Sequence, residues 1–253
     1  MTTKHELDFA KSDTRVACPI VCGKHLRASG FFYRSNSQVY LITARHNLLP
    51  TRGEDLATGE LSVDFDSGNR FATLDIYLRS EDEYEVTRYD IRDLDGMKHT
   101  STVDAVAIPL PLDPTEYGYT VWGPSDIVSL RVTEESMKVI GFSGQCFPDG
   151  DCRYERSVYR EEITEPTVLP LVNQFDDPPN PEQFGALEVG QFANSVGNSA
   201  ILNGLSGAPV LAGGLAGVHS NTAAPRSTRQ ASRDSTPDVT TFTRADVLPL
   251  LFK

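Results

Sequence analysis

"NGLSGAPVL", Asn203 to Leu211, sets a serine between two glycines, adds a proline, and runs straight into apolar residues. Glycine permits backbone conformations closed to other residues. Such a stretch reads in two ways. It is either a glycine-rich turn with a serine at its tip, or a serine held out on a tight loop beside free backbone N–H groups. The choice depends on what the rest of the chain places around it.

The chain has 253 residues, 39% hydrophobic and 23% charged, an ordinary globular composition with enough length for a full core. Its 35 acidic residues outnumber 23 basic ones, for a net charge of −12. That balance opposes non-specific nucleic-acid binding, which needs a basic face. The start, "MTTKHELDFAKSDTR", has no apolar segment of the secretory kind. No apolar run approaches the ~18 residues of a membrane span. The four cysteines are Cys18, Cys22, Cys146 and Cys152. Reduced thiols in the cytoplasm are expected, with pairing of Cys146 and Cys152 left open, and the spacings are loose for a zinc site.

Short β-type runs dominate. Ser29–Ala44 reads as strand, Ser-Asn-Ser turn, strand; Arg70–Arg79, Asp104–Leu110 and Ser136–Gly144 read as further strands. Ala208–Ser220 reads as two strands around Gly213–Gly214. Many short strands separated by turns predict an all-β sandwich or barrels. Helical periodicity is confined to the tail, "TRADVLPLLF", with Thr243 as the expected cap and Pro249 near its end. Phe175–Gln183 and Thr222–Asp238 read as loops, and Trp122–Leu130 as the link between halves.

Three places answer the opening stretch. His46 follows an apolar strand in "LITARHNLL", Asp104 heads another in "VDAVAIPL", and Ser206 sits in the glycine turn. A serine hydroxyl is a poor nucleophile until a base takes its proton. Histidine suits that role near neutral pH, and an acid behind it fixes its tautomer and stabilises its cation. Taken together, these local sequences resemble the chymotrypsin-like (trypsin-like) serine peptidases, in particular bacterial members of intracellular type. "TARHN" resembles the family's Thr-Ala-Ala-His motif, "DAVAIPL" its acid-bearing strand, "GLSGAP" its Gly-Asp-Ser-Gly-Gly-Pro, and "LAGVHSN" the strand lining the cleft. The order His, Asp, Ser also matches, unlike that of subtilisin-like or α/β-hydrolase chains.

The resemblance implies two six-stranded antiparallel β-barrels with a short C-terminal helix. Residues 1–14 would be a tail and 15–125 the first barrel, with His46 and Asp104. Residues 126–222 would be the second barrel, with Ser206, and 223–253 a loop and the helix. It implies a serine endopeptidase whose oxyanion hole is made by the N–H groups of Gly204 and Ser206. Substrate would pair as an added strand with Ser220–Thr222. Asp90, Asp93 and Asp95 are the spare candidates for the acid.

The departures are specific. Leu205 replaces the Asp that pairs with a new N-terminus in secreted members, so no activation by that route is expected. Asn47 and Leu202 stand where secreted relatives carry half-cystines. Ala200, near the base of the family's pocket, offers no acid for Arg or Lys. His219, with Ser220 and Asn221, falls where glutamyl endopeptidases and picornaviral-type peptidases read Glu or Gln. There it is either a pocket residue or a histidine bonded within the barrel wall. A Glu preference read by this imidazole should vary between about pH 5 and 8. The hydroxyl residue expected just before the nucleophile is missing, with Ile201 in its place and Ser199 two residues earlier.

The expected activity is peptide-bond cleavage through an acyl-enzyme, after Glu, Gln or small apolar residues, without metal or cofactor. Expected partners are a protein or peptide substrate, with a regulatory protein left open, and no nucleic acid or membrane. Two alternatives stand beside it: a catalytically degenerate peptide-binding module, and an esterase-like hydrolase on the same site.

Overall fold

The computed structural model describes residues 15–23, 26–49, 73–80, 83–90, 96–100, 103–128, 137–143, 163, 165–171, 191–196, 204–223 and 238–253. They are almost wholly β. The first sheet holds β1 (Cys18–Cys22), β2 (Leu26–Ser35), β3 (Gln38–Thr43), β4 (Thr73–Ser80), β5 (Glu83–Asp90), β6 (Lys98–Thr100), β7 (Val103–Pro109) and β8 (Val121–Trp122). Its strand order is β5-β4-β1-β2-β3-β7-β6, with β8 parallel to β2. The second sheet holds β9 (Met137–Gly141), β10 (Thr167–Leu171), β11 (Gln191–Val196), β12 (Pro209–Leu211), β13 (Leu215–Ala223) and β14 (Asp238–Arg244). Its order is β10-β9-β12-β13-β14-β11, antiparallel throughout. Neither path closes into a ring among the described residues, and the short β6 and β8 bring the first sheet to eight strands.

The local chemistry explains the elements. β2 and β3 are rich in aromatic and β-branched residues and meet at a two-residue loop, where Asn36 takes a positive φ of 55°. Leu211 and Leu215 pair across Gly213–Gly214, as the sequence predicts. The tail differs from expectation. Thr243 is not a cap but part of β14, paired with Val218 and Gln191. The sheet holds the backbone extended up to Arg244, and Ala245–Phe252 then forms a 3-10 helix without a side-chain cap, with Pro249 inside it. Of the link read at Trp122–Leu130, residues 122–128 are described: Ile127 bridges Leu215, and the Val128 N–H donates to the Leu215 carbonyl. Phe175–Gln183, 224–237 and the cysteines of "CFPDGDC" lie outside the described residues. Cys18 and Cys22 are buried and form no disulfide. No helix among the described residues is long and apolar enough to cross a membrane.

Four apolar cores form among the described residues, and three of them bear on the site. One lies within the first sheet around Ile20, Phe32, Leu41 and Ile108, and another within the second around Val139, Leu205, Val210 and Phe242. A third joins them, bringing Phe31, Ile42 and Ala105 of the first sheet against Ile140 and Val218 of the second. The C-terminal helix seals this seam with Leu248 and Leu251, while Phe252 stacks on Tyr33 with ring centroids 5.8 Å apart. Leu248 is fully buried there. Leu248→Ala should therefore destabilise the protein by about 2–5 kcal/mol, read as a lower midpoint of denaturant unfolding.

Candidate active site

β3 and β7 pair antiparallel, with Thr43 opposite Val106. Continuing that register would set Arg45 opposite Asp104. The chain instead turns into a single 3-10 turn, Arg45–Asn47, just past the end of β3. That turn swings His46 against Asp104, the second residue of β7. Nδ1 of His46 lies 2.9 Å from Oδ2 and 3.2 Å from Oδ1 of Asp104, and the His46 backbone N–H donates to Oδ1 at 3.0 Å. With Nδ1 held on a carboxylate, the ring's proton belongs there, and Nε2 is the basic nitrogen. Asp90 lies on β5, at the opposite edge of the sheet from β7. Asp93 and Asp95 are outside the described residues.

The Asp104 side chain is only 5% exposed. Burial pushes its carboxyl up. The His46 charge, the two His46 donors and the Ser220 hydroxyl outweigh burial and hold it below the usual carboxylate range. Ser220 extends this network to Thr243, with hydroxyl oxygens 3.3 Å apart. Ser220 also meets Ser206: the Ser206 hydroxyl donates to the Ser220 carbonyl at 2.7 Å. His46, Asp104, Ser220 and Ser206 thus form one connected set drawn from both sheets.

The loop around Ser206 is fixed from several sides. Leu205 is fully buried in the core of the second sheet. The Ala208 N–H donates to the Leu205 carbonyl and the Gly207 N–H to the His219 carbonyl. The amides of Gly204 and Ser206 have no acceptor among the described residues. Gly204 and Gly207 have φ of 89° and 90°, a region that strains any side chain. Gly207 is further constrained: a Cβ there would fall 2.1 Å from both the Ser29 carbonyl oxygen and Thr43 Oγ1. Ser29 and Thr43 of the first sheet and Asn47 of the 3-10 turn after β3 surround this loop; sequence reading assigns none of them a role in a site, although Thr43 and Asn47 fall within "TARHN". Asn47 was noted only as standing in for a half-cystine. Its Nδ2 donates to Thr43 Oγ1 and to the Ser206 carbonyl, both at 3.0 Å.

His219 lies on β13, 1% exposed, with Nε2 2.5 Å from the Thr240 hydroxyl. Nδ1 has no hydrogen-bond partner among the described residues; the Leu205 carbonyl favours its protonation without making a bond of normal geometry. Burial, reinforced by the His46 charge, pushes the imidazole down to about 4. It is therefore neutral across pH 5–8, and the titration expected there from sequence is displaced. Ala200 and the Asn221 side chain are outside the described residues. Those residues contain no cluster of His, Cys, Asp or Glu able to hold a metal ion.

No family model matches the chain, and no curated protein matches it. Solved structures do. A thermostable serine protease, AL20, from an extremophilic microorganism matches at 12% identity and TM-score 0.51, covering 92% of each chain. A mutant of human heparin binding protein matches at 12% identity and TM-score 0.50, over 96% of this chain and 92% of that one. The scabies mite inactivated protease paralogue S-D1 matches at 14% identity and TM-score 0.50, over 94% and 91%. The fold is chymotrypsin-like. At such identities the likeness speaks for the fold alone. One is named as a protease and another as an inactivated one, so chemistry has to be argued from this chain's own residues.

The buried His219 also makes stability depend on pH. The folded pKa of about 4 lies below the ordinary 6.5, so the unfolded chain binds more protons between those values. The contribution is fully present above about pH 6.5 and is lost as pH falls towards 4. His99 is shifted down as well, first by burial and then by the Arg45 charge, and acts in the same sense. The melting temperature should fall from pH 7 to 4.5 in the wild type. In His219→Gln it should fall distinctly less, as measured by calorimetry.

Proposed function

We propose that this chain is a chymotrypsin-like serine endopeptidase acting through His46, Asp104 and Ser206. The observation that carries the reading is the 2.9 Å contact of His46 Nδ1 with a buried Asp104 carboxylate, linked through Ser220 to the Ser206 hydroxyl. In this mechanism the Ser206 hydroxyl leaves the Ser220 carbonyl and turns to His46. Nε2 takes its proton as Oγ attacks the peptide carbonyl carbon. The carbonyl π pair moves onto oxygen, facing the Gly204 and Ser206 amides. Collapse expels the amine, which receives the proton from His46. Water, deprotonated by the same nitrogen, then attacks the acyl carbon and frees the acid and Ser206. Asp104 stays ionised and stabilises the imidazolium.

Peptide would lie along β13 at Ser220–Thr222 as an added strand. The proposal includes His219, with Ala200 and Asn221, at the specificity pocket. In it the Thr240 hydroxyl donates to Nε2, so Nδ1 carries the proton; that atom is closed to solvent beside the Leu205 carbonyl, and donation to substrate requires Leu205 to give way. A neutral donor suits a Gln carboxamide at least as well as a Glu carboxylate. It also includes the division at residues 125 and 126 into two barrels and a reducing bacterial cytoplasm. Asn47, which stands where secreted relatives carry a half-cystine and here donates to the Ser206 carbonyl, supports that setting.

The bond from Ser206 to the Ser220 carbonyl favours a second reading. A hydroxyl resting there is not aimed at a base, as suits a groove that binds peptides without cutting them. Turnover of a proteome-derived peptide library separates the two. Ser206→Ala, His46→Ala and Asp104→Asn should each lower kcat by about 10^4–10^6-fold, and pairs should be no worse than the worst single. Cleavage after Gln or Glu should exceed that after Arg or Lys, with a preference flat between pH 5 and 8. A profile dominated by Arg, Lys or aromatic residues would remove His219 from the pocket and leave the triad standing.

A further inference from the structure

Ser29 is fully buried on β2, away from His46 and Asp104, yet its hydroxyl reaches into the other sheet. It accepts from the Phe142 N–H at 2.8 Å, which leaves its own hydrogen to donate. Of the two carbonyls within reach, that of Gly204 at 2.9 Å is the better acceptor, since that of Phe142 lies at 3.5 Å. The Ser29 backbone adds a second tie, its N–H donating to the Ser206 carbonyl at 3.0 Å.

We propose that Ser29 is a positioning residue that sets the oxyanion-binding loop from across the sheet seam. The inference rests on the reading of Ser206 as nucleophile. Its logic is the planarity of the trans peptide, in which C=O and N–H point in opposite directions. The Gly204–Leu205 peptide lies between the two that carry the donor amides, and the Ser29 hydroxyl holds its carbonyl. With that plane fixed, the Gly204 φ of 89° sets where the Gly204 N–H points. On the other side, the Ala208 N–H holds the Leu205 carbonyl inward, which turns the Ser206 N–H outward. Leu205 supplies no carboxylate for a released N-terminus and is buried instead. The loop's conformation is thus set by packing of one sheet on the other, and assembly of the seam assembles the donors.

The test compares wild type with Ser29→Ala, using peptide kinetics and amide exchange. Ser29→Ala should lower kcat about 10- to 100-fold, less than outright loss of a donor, with KM within about threefold. Affinity for a peptide aldehyde, whose adduct places an oxyanion on those amides, should fall with kcat. Exchange at Gly207 and Ala208 should quicken by about tenfold or more while β4 and β5 keep wild-type protection. Were Ser29→Ala not to fold, Ser29→Gly leaves room for a water between Phe142 and Gly204 and carries the same readings. Unchanged kcat with unchanged loop exchange would overturn the proposal, as would loosening equal in β4, β5 and the loop. If the wild type cleaves no peptide, the peptidase reading fails, and loop exchange alone then decides whether Ser29 sets the loop.

Discussion

The carbonyl of Ser206 belongs to the second sheet, but its hydrogen bonds come from the first. The Ser29 N–H and Asn47 Nδ2 each reach it at 3.0 Å. A buried carbonyl left unpaired would be costly, so the two sheets dock in the one relation that lets both donors arrive. Gly207 makes that approach possible, because any Cβ there would collide with Ser29 and Thr43. The apolar seam of Phe31, Ile42, Ile140 and Val218 supplies non-directional adhesion, and these polar contacts choose the orientation. The same docking sets Ser220, already bonded within the second sheet to Ser206 and Thr243, against Asp104 of the first.

Electrostatics at the site follow from that burial. A carboxylate taken out of water survives only with several donors, and Asp104 has the His46 ring, the His46 amide and the Ser220 hydroxyl. His219, on the same strand as Ser220, has an alcohol neighbour and, among the described residues, no carboxylate hydrogen-bonded to it, so burial favours its neutral form. The partly exposed His46 and the buried His219 are thus set to different states by their partners. One is suited to taking and returning a proton, the other to donating a hydrogen bond without changing charge.

The strands with strong apolar alternation were legible in the sequence, and Ser29–Ala44, Asp104–Leu110 and Ala208–Ser220 fall where they were read. β5, "EYEVTRYD", was missed because its charged side chains obscure the alternation; Arg88 lies along the sheet against the buried Asp75 of β4. β14, "DVTTFTR", carries the β-branched and aromatic residues of a strand; Thr243, at its end and just ahead of the helical tail, also fits a cap, and the two readings compete for one residue. The meeting of His46 and Asp104 was reached by resemblance, through local motifs that sit in the chain as short words. The contacts of Ser29 with Phe142 and Gly204, and of Asn47 with Ser206, join residues more than a hundred positions apart. No local pattern encodes such pairs; only the docking of the sheets creates them.

The proposed chemistry stands or falls on Ser206 being an activated nucleophile. The most direct measurement is labelling with a fluorophosphonate probe, followed by mass-spectrometric mapping of the modified residue. One phosphonate is expected on Ser206, none on the Ser206→Ala protein, and much slower labelling when His46 is replaced by alanine. A folded wild-type protein that takes no label at Ser206, or takes it equally fast without His46, would contradict it.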